Sequence, residues 1–341
     1  MEKLFANDWF LNLIPILVIV VLVWSIARAR RQPLWAEAYR RLGRNKVAIG
    51  AIVVLALYGT VAVGDSIGWR DSANSDRKTI VDRVFSRTRE RTYSAPMAAE
   101  TNGEAIPYKL TAPGTHLLGT DSVGEDVLFR TLKGCRTACI IGGFTTIIAL
   151  PLALVLGLIA GYFGKIVDDT VQYVYTVMQS VPDVLLLIAI ILVLGRGLPQ
   201  MCFALGITSW VTLCRLIRGE TLKHRDRDYV RAAKALGASP YRIITKHILP
   251  NLLPILVISV TLGFSGLVLA EAVLSYLGVG VGPDVGSWGN MIDGARDELS
   301  RNPVIWWTIT SASLAVFGLV LALNLLGDAL RDAIDPRLRS S

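Results

Sequence analysis

Residues 229–254 read YVRAAKALGASPYRIITKHILPNLLP. Residues 229–236 are rich in Ala and Leu, both strong helix formers. Gly237 permits backbone angles that other residues resist. Pro240 suits the first turn of a new helix, where its missing N–H is no loss. Pro250 and Pro254 are expected to open the next apolar span. The stretch therefore reads as helix, hinge, helix. It is basic and polar, yet apolar runs long enough to cross a membrane lie on both sides. Such a segment can present a short amphipathic helix to a soluble partner.

Composition points the same way. The chain is 52% hydrophobic with a mean hydropathy of +0.50. Only 18% of it is charged, below the about 25% of soluble domains. The net charge of +8 does not require nucleic acid, because Lys and Arg gather in the cytoplasmic loops of membrane proteins. Cys135, Cys139, Cys202 and Cys214 form no CxxC pair, so they read as small packing residues rather than a zinc or redox site.

The expected crossings, in order, are 9–26, 47–63, 138–162, 171–194, 198–217, 252–281 and 305–327. For the first span a signal peptide is the competing reading, but there cationic residues precede the apolar run. Here Arg28, Arg30 and Arg31 follow it, which favours a retained helix with its N-terminus outside. Residues 28–46 hold seven Lys or Arg against Glu37 alone, and 215–250 hold nine against three acids. Both segments are therefore expected on the cytoplasmic side, and an odd number of crossings places the C-terminal tail there too. The division is 1–46, an added helix with a basic segment; 47–63, the first core helix; 64–136, a polar outer region; 137–330, the core containing 229–250; and 331–341, the tail.

Three blocks resemble one family. Arg231, Ala232, Ala233, Gly237, His247, Leu249 and Pro250 stand in the frame of the EAA loop of ABC importer permeases, with Arg231 in place of Glu and His247 in place of Ile. Leu118, Gly119, Thr120, Asp121, Gly124 and Asp126, followed by Gly134-Cys135-Arg136, are similar to the segment before the core helices of dipeptide, oligopeptide and nickel permeases. There Glu125 replaces an Arg and Cys135 an Ala. The third block, LSYLGVG at 274–280 with Ser287-Trp288-Gly289 after it, looks like that family as well. It is expected to break the sixth crossing, a feature tolerated only where protein or a water-filled cavity surrounds it.

The resemblance implies an all-helical membrane protein: a six-helix type I importer core plus one added N-terminal helix, with a cytoplasmic coupling loop. It further implies a bacterial inner-membrane permease working by alternating access. Its partners would be a second, homologous permease, two cytoplasmic ATPases and an extracytoplasmic solute-binding protein. The chain contains no GxxxxGK[ST], so it is expected to bind no cofactor of its own, ATP and Mg²⁺ belonging to the ATPases. Peptides are the first expected solute, with nickel chelates or peptide-like antibiotics as alternatives.

Other residues carry possible chemistry. Glu271 lies in an apolar span, where a carboxylate usually faces a bundle interior or an aqueous path. A pathway or gate role stands beside a structural hydrogen bond. Asp183, next to Pro182, and Gln172 with Gln179, seven residues apart on one helical face, are candidates to line a polar channel or to bond between helices. Gly263-Phe264-Ser265-Gly266 resembles the serine motif of intramembrane proteases, but His116, His224 and His247 all lie outside the crossings, and such a serine needs a base in reach. A secondary transporter is the remaining alternative class.

Overall fold

The computed structural model describes residues 33–334, except 72–75, 87 and 103–106, together with scattered positions between 12 and 28. Most of the expected crossing 9–26 lies outside the described residues. Helix α1 (Pro33–Leu42) leads into α2 (Lys46–Ser66), whose first turn is capped by the Asn45 side chain accepting from Val47 and Ala48 N–H. Leu42 and Ala48 pack against Ala329 near the end of the last helix, α12 (Trp307–Ile334), so these termini share one end of the bundle. Further along α2, the Tyr58 hydroxyl donates to the Ala315 carbonyl of α12 at 2.8 Å.

At the other end of α2 lies the polar region expected outside. Strands β1 (Gly68–Trp69) and β2 (Lys78–Thr79) pair antiparallel, and α3 (Ile80–Phe85) follows. Thr79 and Asp82 form a reciprocal cap on α3. The region is pinned to the helices by long-range bonds: Thr79 Oγ1 donates to Asp65 at 2.8 Å, and Trp307 Nε1 donates to the Thr120 carbonyl at 2.9 Å. Asn12 exchanges hydrogen bonds with the backbone of Gly68 at 2.9 and 3.0 Å.

Helix α4 (Val127–Phe163) begins at the Asp126 cap, which accepts from Phe129 N–H. It starts well before the expected 138, because the charged residues Arg130, Lys133 and Arg136 lie on its outer turns and masked it in a hydropathy reading. Its main neighbour is α7 (Leu198–Arg225). Small residues allow the backbones to close: a Cβ on Gly157 would lie 2.9 Å from the Cys214 carbonyl, and one on Gly161 2.7 Å from that of Arg218.

The expected crossing 171–194 is not one straight helix. Helix α5 (Lys165–Gln179) and α6 (Asp183–Leu194) meet at an angle of 84°. Pro182 is the cause available in the sequence, since it lacks an N–H and pushes the preceding residue out of the helical region. Helix α8 (Asp228–Ala235) and α9 (Pro240–Ile243) follow α7. A π turn at Ile244–Ile248 then runs straight into α10 (Leu249–Tyr276). Pro250 and Pro254 thus lie within a continuous helical path rather than at the start of a separate span.

Helix α10 stops at Tyr276, so Gly278–Gly282 is a loop beyond the helix and not a break inside a crossing to 281. It leads to α11 (Trp288–Gly294). Among the described residues, five helices are long and apolar enough to cross a membrane, or six if α5 and α6 form one broken span.

Candidate functional site

The 228–250 segment is built almost entirely by local rules. At the end of α8, Ala238 N–H bonds to the Ala233 carbonyl and Gly237 N–H to that of Lys234. This crossed pair requires a left-handed residue at the position of Gly237, whose φ is +78°. Ser239 then caps α9 through Arg242 N–H, with Pro240 as its first residue. Pro250 has no N–H to return to the carbonyl four residues back, and the register shift of the π turn precedes it. The Asn251 side-chain amide donates to the His247 carbonyl at 2.6 Å.

One face of this segment is buried. Val230, Ala233, Ile243 and Ile248 join the apolar core between α4, α7 and α10. The other face is open: Arg231 and Ala232 are exposed, as are Leu236 (88%) and Tyr241 (78%). Leu249 and His247 are half-buried, and Pro250 is exposed.

The sequence did not reveal what ties this segment to the bundle. Lys234 Nζ sits 5.1 Å over the Tyr162 ring. Arg225 Nη1 lies 3.4 Å from the carbonyls of Gly161 and Tyr162, at the negative end of α4. Arg218 grips Asp168 with two donors, Nη2 at 2.6 Å and Nε, joining α7 to α5. The partners in that fork are 50 residues apart, so no spacing could disclose it.

Glu271 lies near the opposite end of α10 and is 1% exposed. Its Oε1 accepts from Ser275 Oγ at 2.8 Å and from Ser287 Oγ at 2.6 Å. Ser287 also caps α11. The next residue, Trp288, is fully buried and donates to the Thr131 carbonyl of α4 at 2.8 Å. A Cβ on Gly289 would sit 2.8 Å from the Ala272 carbonyl, so α11 is pressed directly onto α10. Glu271 thus stitches the 278–289 loop to the helix that carries it.

The remaining candidates lie apart from Glu271 in the chain's architecture. Gln179 ends α5 and Asp183 begins α6, both exposed beside the bend. Gln172 is half-buried one turn from Asp168 and bonds to it. Ser265 is buried, with its hydroxyl 2.7 Å from the Leu262 carbonyl and 3.0 Å from Asn324 Oδ1, a helix-to-helix contact.

Residues 153–340 match the family model described as "Binding-protein-dependent transport system inner membrane component". The dipeptide transport system permease protein DppC of Alkalihalophilus pseudofirmus is 31% identical over 90% of this chain and 91% of that protein. The di/tripeptide transport system permease protein DppC of Pseudomonas aeruginosa is 37% identical over 66% of this chain and 73% of its own length. The glutathione transport system permease protein GsiD of Pectobacterium atrosepticum is 31% identical over 90% of this chain and 92% of that protein. With the family model matching more than half of it and relatives aligned along nine-tenths of it, the chain belongs to the family of binding-protein-dependent transport system inner membrane components, the permeases of ABC importers.

Proposed function

We propose that the chain is the membrane-spanning subunit of an importer of short peptides, moving its solute by alternating access. The observation that carries this reading is the alignment of nine-tenths of the chain with a dipeptide permease. A second homologous permease completes the pathway, two cytoplasmic ATPases supply the energy, and an extracytoplasmic protein delivers the solute. This chain breaks no bond in the solute.

The geometry supports a division of labour. The face bearing Leu236 and Tyr241, beside the hinge at Gly237, docks on an ATPase and passes on its closure. The loop held by Glu271 belongs to the opposite, outer end. In this orientation Asn12 lies outside with Gly68, while α1 and the end of α12 lie inside. That agrees with the seven Lys or Arg in 28–46.

The test is reconstitution of the full complex, with its binding protein, ATPases and second permease, in proteoliposomes. ATP-dependent accumulation of a labelled dipeptide is expected. Accumulation of a nickel chelate with no peptide uptake would overturn the peptide reading. Accumulation without ATP would overturn the importer mechanism.

A further inference from the structure

A cleft of about 280 Å³ opens where the end of α2, the outer turns of α4, the start of α7 and the 278–287 loop meet. Its lining includes the apolar residues Ile140, Leu198 and Val285. It also carries Asp65, Lys133, Arg136 and, on the loop, Asp284.

The charges in it are not equally satisfied. Lys133 Nζ is held from two sides, 3.2 Å from Asp65 and 2.7 Å from Asp82. Among the described residues Arg136 has only a long approach, Nη1 at 3.9 Å from Asp65, and its Nε is buried with no hydrogen-bond partner there. The side chain is nevertheless 39% exposed, which leaves guanidinium N–H groups for a planar anion, and a carboxylate fits two of them at once. Asp284 is exposed, and places a negative charge on the same cleft. Opposite charges beside apolar residues, in a space of this size, match a small zwitterion with an apolar body.

The loop forming this cleft is the one that Glu271 holds. Gly286 packs so tightly on α4 that a Cβ there would meet Lys133 Cβ at 2.7 Å, and its carbonyl accepts from Thr137 Oγ1 at 2.6 Å. Movement of the loop therefore changes the cleft directly.

We propose that this cleft is a transit site for the solute, with Arg136 receiving the free carboxylate of a short peptide and Asp284 its ammonium group. The proposal rests on the peptide-import reading given above. It makes the permease itself sensitive to both termini, after the binding protein has made its own selection.

The test uses the whole complex in proteoliposomes. A free dipeptide, its C-terminal amide and its N-acetyl form are each supplied at concentrations that saturate the binding protein, so remaining discrimination arises in the membrane. In the wild type the free dipeptide should move fastest. Arg136→Gln should slow the free dipeptide by at least about tenfold and leave the amide unchanged, erasing the preference. Asp284→Asn, on an exposed loop and with little risk to folding, should erase only the preference over the N-acetyl form. Unchanged preferences in both variants would overturn the site. So would loss of the second permease from purified Arg136→Gln complex, which would make Arg136 an interface residue. Failure of the wild type to move any of the three peptides would instead sink the import reading itself.

Discussion

The segments 228–250 and 271–289 sit at opposite ends of α10 and are held in opposite ways. The first is organised from within: a left-handed Gly237, a Ser239 cap and Pro240 lie within a few residues of one another. It leaves Leu236 and Tyr241 open. The second is organised from a distance: Glu271 meets Ser287, and Trp288 meets Thr131 of another helix. It buries Glu271, Ser275, Ser287 and Trp288, while Val273, Leu277 and Asp284 stay exposed. A segment shaped by its own caps takes its form from its immediate neighbours, whereas one stitched to the rest of the chain moves only with it.

The sharpest way to break this contrast is Glu271→Ala. It removes the acceptor shared by Ser275 and Ser287. Stranding those hydroxyls should cost about 2 kcal/mol, read as a lower melting temperature of the purified chain. Glu271→Gln keeps an acceptor oxygen and should lose less. Equal melting of both variants and the wild type would mean that the stitch does not hold the loop.

At the other end, Gly237→Val should cost about 1 kcal/mol, because a branched residue resists the left-handed region. Crowding does not add to it, since a Cβ there meets nothing within 4 Å. The larger consequence should be functional: ATPases that still co-purify but hydrolyse ATP without driving uptake. Normal coupling in this variant would remove the hinge from the mechanism.

A smaller effect is expected from pH, at the end of the bundle where Glu298 faces Asp121. Burial pushes the Glu298 carboxyl up, and the nearby Asp121 adds to the push. A carboxyl raised in the folded state stabilises below its ordinary pKa and loses that contribution as pH rises through the raised value. Glu298→Gln should therefore melt higher than the wild type at pH 8, with the gap closing toward pH 4. Glu90 should behave in the opposite sense. Burial disfavours its charge, but the N–H groups of Thr111 and Ala112 outweigh that and hold its carboxyl below the ordinary range. Its contribution is present above that range and lost as pH falls through the lowered value. A wider gap at pH 4 than at pH 8 for Glu298→Gln would contradict the assignment.

The smallest change in stability is expected from Leu236→Ser, within about 0.5 kcal/mol, because the side chain is exposed. Co-purification of the ATPases should nevertheless fall. Retained ATPases would show that the open face is not the docking face.

What could be read from the sequence follows the same divide. Helix, hinge and helix at 228–243 were legible because Gly, Ser and Pro act on their immediate neighbours. The apolar runs announced most long helices for the same reason. The 84° turn between α5 and α6 was not legible, because hydropathy counts apolar residues without recording direction. Only Pro182 hinted at it. Ser275 and Ser287 were visible as parts of a motif, but nothing local marked them as partners of Glu271. The unsatisfied guanidinium of Arg136 depends on where Asp65 falls, at the end of a different helix.

Helix α4 has 37 residues and a proline at 151. At 1.5 Å per residue it is about 55 Å long, against about 30 Å of hydrocarbon. Pro151 removes one rung of the ladder, so bending concentrates there and divides the helix into unequal arms. The arm before Pro151 is about 36 Å long and the arm after it about 18 Å. A bend of about 10° at that point would carry the Asp126 end about 6 Å sideways. The shorter arm, gripped by Arg225 at its carbonyls, is the handle of a lever whose long end bears the charged cleft.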